Sequence, residues 1–130
     1  QKKIPLVTLM AAYAAAAALI DDHGIDAVIK WPNDLYWKDS KFGGILSEGK
    51  HFKGRSFIIL GMGLNIDVDR RYLDSLDNKA VSIQEFTEKK IIPESLLAKI
   101  LKRFEDMYLQ YDNTGGFNPI FKKIEKILRY

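Results

Sequence analysis

Cysteine is absent from this 130-residue chain, and only two histidines are present. The absence of cysteine excludes disulfide bonds, thiolate metal ligands and a cysteine nucleophile. His23 and His51 have no partner at the spacing of metal ligands, so they do not indicate a metal site built from protein side chains. A sequence without cysteine is compatible with a reducing compartment, and we predict a cytoplasmic protein.

Long hydrophobic runs and dense basic blocks are also missing. The longest apolar stretch, residues 9–20, is alanine-rich and shorter than the roughly 20 residues that cross a bilayer. It also lacks the layout of a signal peptide, so no membrane association is predicted. The net charge of +3 comes without a Lys/Arg cluster. Nucleic acid is therefore not indicated, whereas a phosphate-bearing ligand or an acidic protein partner is compatible with the charge.

The first half of the chain predicts one helix followed by a meander of strands. Pro5 and Gly24 bracket an alanine-rich helix over 5–23, because proline suits a first helical turn and glycine a stop. Strands are then predicted at four places, joined by turns that include 39–40 and 48–54. The predicted strands are 26–31, 35–38, 41–47 and 56–66.

The second half predicts mostly helices. A short helix or turn is expected over 70–76 and a short strand over 81–86. Pro93 opens a helix whose apolar residues recur at helical spacing until the break at 113–116, and a last helix is predicted over 117–128. The expected fold is α+β, with a mixed, largely antiparallel sheet packed with helices in a single domain, 1–130.

The string Lys-Trp-Pro-Asn-Asp at 30–34 places three polar side chains in one loop at a strand end. A carboxylate there can hold a nucleotide hydroxyl, a metal-linked water or an attacking amine. The plain alternative is that Pro-Asn-Asp is a favourable turn sequence. Taken alone, this motif leaves both interpretations open.

Two further motifs place glycines inside apolar strands. Lys-Phe-Gly-Gly-Ile-Leu at 41–46 suggests a bulge or a close approach of backbone to a ligand, with the lysine as a point charge; the alternative is a twisted strand with an exposed lysine. Gly-Met-Gly-Leu-Asn-Ile at 61–66 is a weak match to a dinucleotide-binding fingerprint, because Ile66 stands where the third glycine would fall. Its glycines leave room for a flat ligand, and Asn65 has the donor and acceptor needed to contact a purine or a triphosphate. A purely structural use of this motif is equally compatible.

In this order and spacing, the three motifs resemble the catalytic domain of biotin protein ligases (biotin–acetyl-CoA-carboxylase synthetases). The resemblance implies a fold similar to class II aminoacyl-tRNA synthetases. It also implies a reaction in which biotin and ATP form biotinyl-5′-adenylate, with Mg²⁺ accompanying the nucleotide. A lysine of a biotin carboxyl carrier protein would then take the biotin. Alternatives are a lipoate–protein ligase of related fold and a non-catalytic fragment that binds biotin or a partner.

The resemblance assigns roles to residues of all three motifs. Lys41 and Asp34 would be catalytic, Lys41 beside the biotin carboxylate and the α-phosphate and Asp34 orienting the adenylate or the incoming amine. The residues implied in binding biotin or the adenylate are Lys30, Trp31, Asn33, Gly43, Gly44, Ile45 and Leu46. Those implied in binding ATP are Asn65, Gly61 and Gly63.

The chain departs from the family pattern at both ends. Nothing between Gln1 and Pro5 resembles the glycine- and arginine-rich loop that closes over biotin in the family, and the small C-terminal barrel of many members has no counterpart. The expectation is therefore a chain with about the second half of the catalytic domain. A homodimer through exposed sheet edges is compatible with the predicted strands.

Overall fold

Five strands form one mixed sheet in the computed structural model, which describes residues 4–114 and 116–130. The strands are β1 (Ala27–Lys30), β2 (Asp34–Trp37), β3 (Ser40–Phe52), β4 (Arg55–Leu64) and β5 (Leu128–Arg129). The helices are α1 (Ile4–His23), α2 (Arg70–Asp74), α3 (Pro93–Thr114) and α4 (Asn118–Ile124), with a 3₁₀ turn at Ile83–Glu85. The sheet order is β4-β3-β2-β1-β5, and only the β1–β5 pair is parallel. The predicted fold class is confirmed.

Helix α1 is the central packing element. Its alanines have no side chain beyond Cβ, so the helix lies close to the sheet, and it ends at Gly24, whose φ of 62° is a conformation that favours glycine. The helix that contains the apolar stretch 9–20 is longer than that stretch, since α1 has 20 residues and, by length and composition alone, could cross a membrane. However, 67% of its most apolar stretch is buried inside the protein, as in a core helix.

The hairpin of β3 and β4 is longer than predicted. The expected turn over 48–54 is wrong, because β3 continues to Phe52, which pairs with Arg55. Only Lys53 and Gly54 form the turn, with φ values of 48° and 74°. Two positive φ values are what a two-residue turn between twisted strands requires. The preceding turn is formed by residues 38–39 rather than 39–40.

The second half departs from the prediction in three places. The strand predicted over 81–86 is wrong: Ser82 and Glu85 form a capping box that stabilises a 3₁₀ turn instead. The last helix ends at Ile124, and β5, which was not predicted, pairs with β1. The predicted break at 113–116 includes Gly115, which lies outside the described residues, and α3 continues to Thr114.

Strand β3 contains one extra residue opposite β2. Leu35 pairs with Gly43 and Tyr36 with Lys41, so Phe42 has no partner in the β2–β3 register. Such a β-bulge changes which face successive side chains take. Phe42 and Gly43 both lie on the buried side against the helices, whereas Lys41 and Gly44 lie together on the opposite side.

The helices cover one face of the sheet, and the other face is open over the described residues. Alternation along β4 shows this division, because Ile58, Leu60 and Met62 pack against the core while their neighbours are exposed. The exposed residues of β4 on the other face are Arg55, Phe57, Ile59, Gly61 and Gly63. We refer to this uncovered side as the open face.

Replacing Gly43 by alanine is expected to destabilise the fold by about 1–3 kcal/mol. A Cβ at this position would lie 2.6 Å from Leu64 Cδ2 and 2.7 Å from the carbonyl oxygen of Gly63, and the backbone oxygen cannot move aside cheaply. Gly63→Ala is the matched control, since no atom lies within 4 Å of the position that its added methyl group would take. Urea unfolding measures both. Equal midpoints for the two variants would contradict the packing role of Gly43.

Candidate active site

An ion pair between Lys41 and Asp34 forms the centre of the candidate site. The Lys41 Nζ atom lies 2.9 Å from Asp34 Oδ1, and the two side chains are 37% and 32% exposed. Asp34 begins β2, and Lys41 lies just before the bulge of β3. The backbone of Lys41 is also bonded to the segment 79–81: its N–H donates to the carbonyl oxygen of Lys79, and its carbonyl oxygen accepts from the N–H of Val81. The two catalytic residues implied by the resemblance are therefore in direct contact.

Gly44 lies directly beneath this ion pair. A Cβ there would be 3.2 Å from Asp34 Oδ1 and 3.6 Å from Lys41 Cε. Across the sheet, Asp34 pairs with Lys30 on one side and Gly44 on the other, and Gly44 pairs with Gly63. Gly44 and Gly63 thus form a shallow surface without side chains, which we call the glycine floor. The cations Lys30 and Lys41 and the carboxylate of Asp34 lie beside it.

Asn33 ties the 30–34 loop to β3. Its side-chain Nδ2 donates to the carbonyl oxygen of Ile45 at 2.7 Å, and its own carbonyl accepts from the Ile45 N–H at 2.9 Å. Bonds of this kind are worth about 1 kcal/mol each. The Asn33 amide nitrogen is therefore committed to positioning the residue next to it, Asp34. The Trp31–Pro32 peptide bond in this loop is cis.

Tyr36 belongs to the same surface, although sequence reasoning did not single it out. The Lys30 Nζ lies 5.0 Å from the centre of the Tyr36 ring, a cation–π distance, and Tyr36 pairs in register with Lys41. The signal for Tyr36 was available in the sequence. Alternation along β2 places Asp34 and Tyr36 on one face and the buried Leu35 on the other.

Leu46, Asn65 and Trp31, which were also predicted as site residues, lie at three different places around the ion pair. Leu46 is 74% exposed on the open face and pairs in register with Gly61, so both extend the floor of the site. Asn65 lies just past β4, where its N–H donates to Phe42 and its carbonyl accepts from Ile83. Trp31 is 46% exposed and lies 6.1 Å from Tyr130, measured between ring centres.

Gly43 and Ile45 are not brought to the open face. Ile45 is 2% exposed, and the missing Cβ of Gly43 would point at Leu64 and Leu35. The structure explains both residues by packing, and a binding role for them stays a prediction. Only the backbone of this segment could approach a ligand.

The charge of the site favours an anion. Lys30 and Lys41 contribute two positive charges and Asp34 one negative charge, so the cluster has one excess positive charge. Within residues 4–114 and 116–130, no group of three or more His, Asp or Glu side chains is placed to hold a metal ion. A small molecule with a carboxylate or a phosphate fits this arrangement.

Comparison with known proteins gives the class to which this site belongs. Residues 1–65, half of the chain, match the sequence profile of the Biotin/lipoate A/B protein ligase family. The chain therefore belongs to this family, and the resemblance recognised from the three motifs is confirmed.

Individual relatives narrow the likeness to biotin ligases. The chain is 35% identical over 121 residues to the bifunctional ligase/repressor BirA of Bacillus subtilis, covering 92% of this chain and 37% of that protein. It is 31% identical over 124 residues to the biotin--[acetyl-CoA-carboxylase] ligase of Paracoccus denitrificans, covering 88% and 51%. The biotin protein ligase of Aquifex aeolicus, solved in complex with biotin and ATP, superposes with a TM-score of 0.76 at 25% identity, covering 98% of this chain and 52% of that one. The chain thus spans between about one third and one half of the length of these relatives.

Breaking the central ion pair is expected to change the free energy of unfolding by less than about 1 kcal/mol. Both partners are about one third exposed, so solvent screens their attraction and water replaces a lost partner. Asp34→Asn and Lys41→Met should therefore unfold at nearly the wild-type urea concentration. Leu35→Ala, at a fully buried position between the two, is the positive control and should cost about 2–5 kcal/mol. If Asp34→Asn lowered the free energy of unfolding as much as Leu35→Ala, the ion pair would be needed for the stability of the fold.

Proposed function

We propose that this chain forms the part of a biotin–protein ligase that activates biotin with ATP and delivers it to a carrier lysine. The observation that supports this most directly is the Lys41–Asp34 ion pair above Gly44 on the open face. Two of the three relatives reported above are biotin ligases by name, which favours biotin over lipoate as the acid.

In the first step, a carboxylate oxygen of biotin attacks the α-phosphorus of ATP, and pyrophosphate leaves. Two anions must approach each other, and negative charge builds up on the α-phosphate oxygens in the transition state. A fixed ammonium group at this point stabilises that charge more than it stabilises the separate substrates. Lys41 has this role, because its ammonium group lies over the glycine floor where the anhydride would form.

In the second step, the amine of a carrier lysine attacks the acyl carbon of the adenylate, and AMP leaves. The amine must lose a proton as the amide bond forms. Asp34 is the carboxylate in contact with Lys41, and its oxygen can accept a hydrogen bond from the incoming amine. The biotin carboxyl carrier protein is the proposed source of that lysine.

ATP is proposed to lie over the glycine side of the floor, along Gly61, Gly63 and Asn65. The absence of side chains at the two exposed glycines allows a flat ring to approach the strand, and the Asn65 amide has a donor and an acceptor for it. Mg²⁺ would arrive with the nucleotide, held mainly by phosphate oxygens and water. Lys30, beside the Tyr36 ring, adds a second cation for the phosphates.

Location and assembly are the remaining parts of the proposal. A cytoplasmic location is supported by the cysteine-free composition. A homodimer through the outer edge of β4 is compatible with the sheet order, in which that edge pairs with no other described strand.

The deciding experiment is biotin-dependent exchange of labelled pyrophosphate into ATP, with lipoate tested in parallel. Exchange with biotin and not lipoate is expected, and Lys41→Ala should lower the rate by at least about 100-fold, the scale of removing one preorganised charge. Lys102→Ala is the matched control, because this lysine lies on α3 in an ion pair with Asp106 and should be replaceable at no cost to the rate.

Binding is measured alongside exchange. Because Trp31 is exposed next to the site, biotin binding should change the tryptophan fluorescence of the chain. Exchange with lipoate alone would contradict the choice of acid. Biotin binding without exchange would make this chain a binding portion only, and neither binding nor exchange with either acid would contradict the proposal for this chain.

A further inference from the structure

The segment 79–81 takes the place of β4 beside the first residues of β3. Strand β4 pairs with β3 only as far as Gly43, so it does not reach Lys41. Residues 79–81 fill that position through an isolated parallel bridge. The N–H of Lys41 donates to the carbonyl oxygen of Lys79 at 3.0 Å, and the N–H of Val81 donates to the carbonyl oxygen of Lys41 at 3.0 Å. Both backbone polar groups of Lys41 are therefore bonded to this short segment.

Arg70 of α2 binds the same segment at its middle residue. Its Nη2 donates to the carbonyl oxygen of Ala80 at 2.9 Å. The same guanidinium bonds to Glu85 of the 3₁₀ turn, because its Nη1 lies 3.1 Å and 3.3 Å from the two carboxylate oxygens. Its Nε also donates to Asp74, at the end of α2, at 3.0 Å. One side chain thus joins α2 and the 3₁₀ turn to the residue that pairs with Lys41.

The partners of Arg70 are themselves fixed. Glu85 accepts the N–H of Ser82 at 2.7 Å, and the Ser82 hydroxyl oxygen accepts the N–H of Val68 at 2.8 Å. Side chains therefore close the loop 68–85 on itself. Within this network, Arg70 is the side chain that reaches the segment beside Lys41.

These contacts are too exposed to contribute much to the stability of the fold. The side chains of Arg70 and Glu85 are 45% and 35% exposed, and solvent screens ion pairs of this kind. Arg71, the next residue, is 92% exposed and pairs with Asp69 of its own turn. Arg70 differs from it because its guanidinium crosses from α2 to a backbone carbonyl next to the candidate site. The position of that backbone, rather than overall stability, is what Arg70 can control.

We propose that Arg70 is a positioning residue for Lys41. It holds Ala80, whose two neighbours hold the backbone of Lys41, and it thereby fixes the Lys41 ammonium group over the glycine floor. The inference rests on the proposed function, in which Lys41 stabilises the charge that develops in the first step. A misplacement of about 1 Å in such a group can cost on the order of 100-fold in rate.

Amide hydrogen exchange, followed residue by residue by NMR, tests the structural link without any ligand. In Arg70→Gln, the Lys41 amide proton is expected to exchange at least about tenfold faster, because the segment that accepts its hydrogen bond opens more often. The Ile45 amide, bonded to Asn33 in the same sheet, should change by less than about twofold. Arg71→Gln is the matched control, since it removes the same charge from the next residue and should leave both amides unchanged. Unchanged exchange at Lys41 in Arg70→Gln would overturn the proposal.

Biotin-dependent pyrophosphate exchange tests the catalytic consequence. Arg70→Gln is expected to lower the maximal rate by roughly tenfold or more, with a smaller change in the KM values for biotin and ATP, because Lys41 acts mainly in the transition state. Arg71→Gln should keep the wild-type rate. In a Lys41→Ala background, Arg70→Gln should have no further effect, because the two residues act as a unit. An equal loss of rate in both backgrounds would show that Arg70 does not act through Lys41.

Glu85→Gln is a second variant for both measurements. Its amide oxygen can still accept the N–H of Ser82, but it no longer has the charge that orients Arg70. It should therefore shift the exchange of the Lys41 amide and the maximal rate in the same direction as Arg70→Gln, and no shift in either would contradict the proposal. If the unsubstituted chain shows no pyrophosphate exchange, the ligase proposal fails, and the amide measurement alone decides whether Arg70 holds Lys41.

Discussion

The bulge at Phe42 is the constraint on which the candidate site depends. If residues 41–44 alternated regularly, without a bulge, Lys41 and Gly44 would lie on opposite faces of the sheet, because they are three positions apart. With it, Phe42 and Gly43 both pack towards the helices, while Lys41 and Gly44 share the open face with Asp34. A packing feature of the core thus determines which charged side chain stands over the glycine floor. The neighbouring segment supports the bulge, since the Phe42 carbonyl accepts the N–H of Asn65.

Much of the architecture follows from local sequence signals. The alanines with Gly24 define α1, Pro93 with the periodic apolar residues defines α3, and the short turns define an antiparallel meander. The misses have physical causes. Two residues of β5 are stabilised by pairing with β1, a contact about 100 residues away in sequence, which no local pattern encodes. The long hairpin depends on a positive φ at Lys53. Lysine seldom adopts such a φ, so the sequence does not predict a two-residue turn here.

The site was less predictable in detail than in position. The motifs located Asp34, Lys41 and the glycines, but they did not predict that the adjacent Gly43 and Gly44 have different roles. Gly43 has to be a glycine because a Cβ there would clash with the side chain of Leu64 and the carbonyl oxygen of Gly63, whereas Gly44 leaves space beneath the ion pair. That separation depends on the bulge, which appears only when β2 and β3 are paired. Tyr36 was missed for a different reason: an aromatic residue in a strand is ordinary, and its contact with Lys30 exists only across β1 and β2.

The double hydrogen bond between Asn33 and Ile45 has a consequence for how a ligand is received. Because the side-chain amide and the carbonyl of Asn33 are both bonded to the backbone of β3, the loop before Asp34 cannot swing away unless the sheet ladder opens at the same time. Local opening of a central strand costs far more than the movement of a free loop. This part of the site is therefore rigid before any ligand arrives, and a ligand loses little affinity to the entropy of ordering it. On this side of the site, recognition follows a lock-and-key scheme, and any induced fit must come from segments that close over the open face.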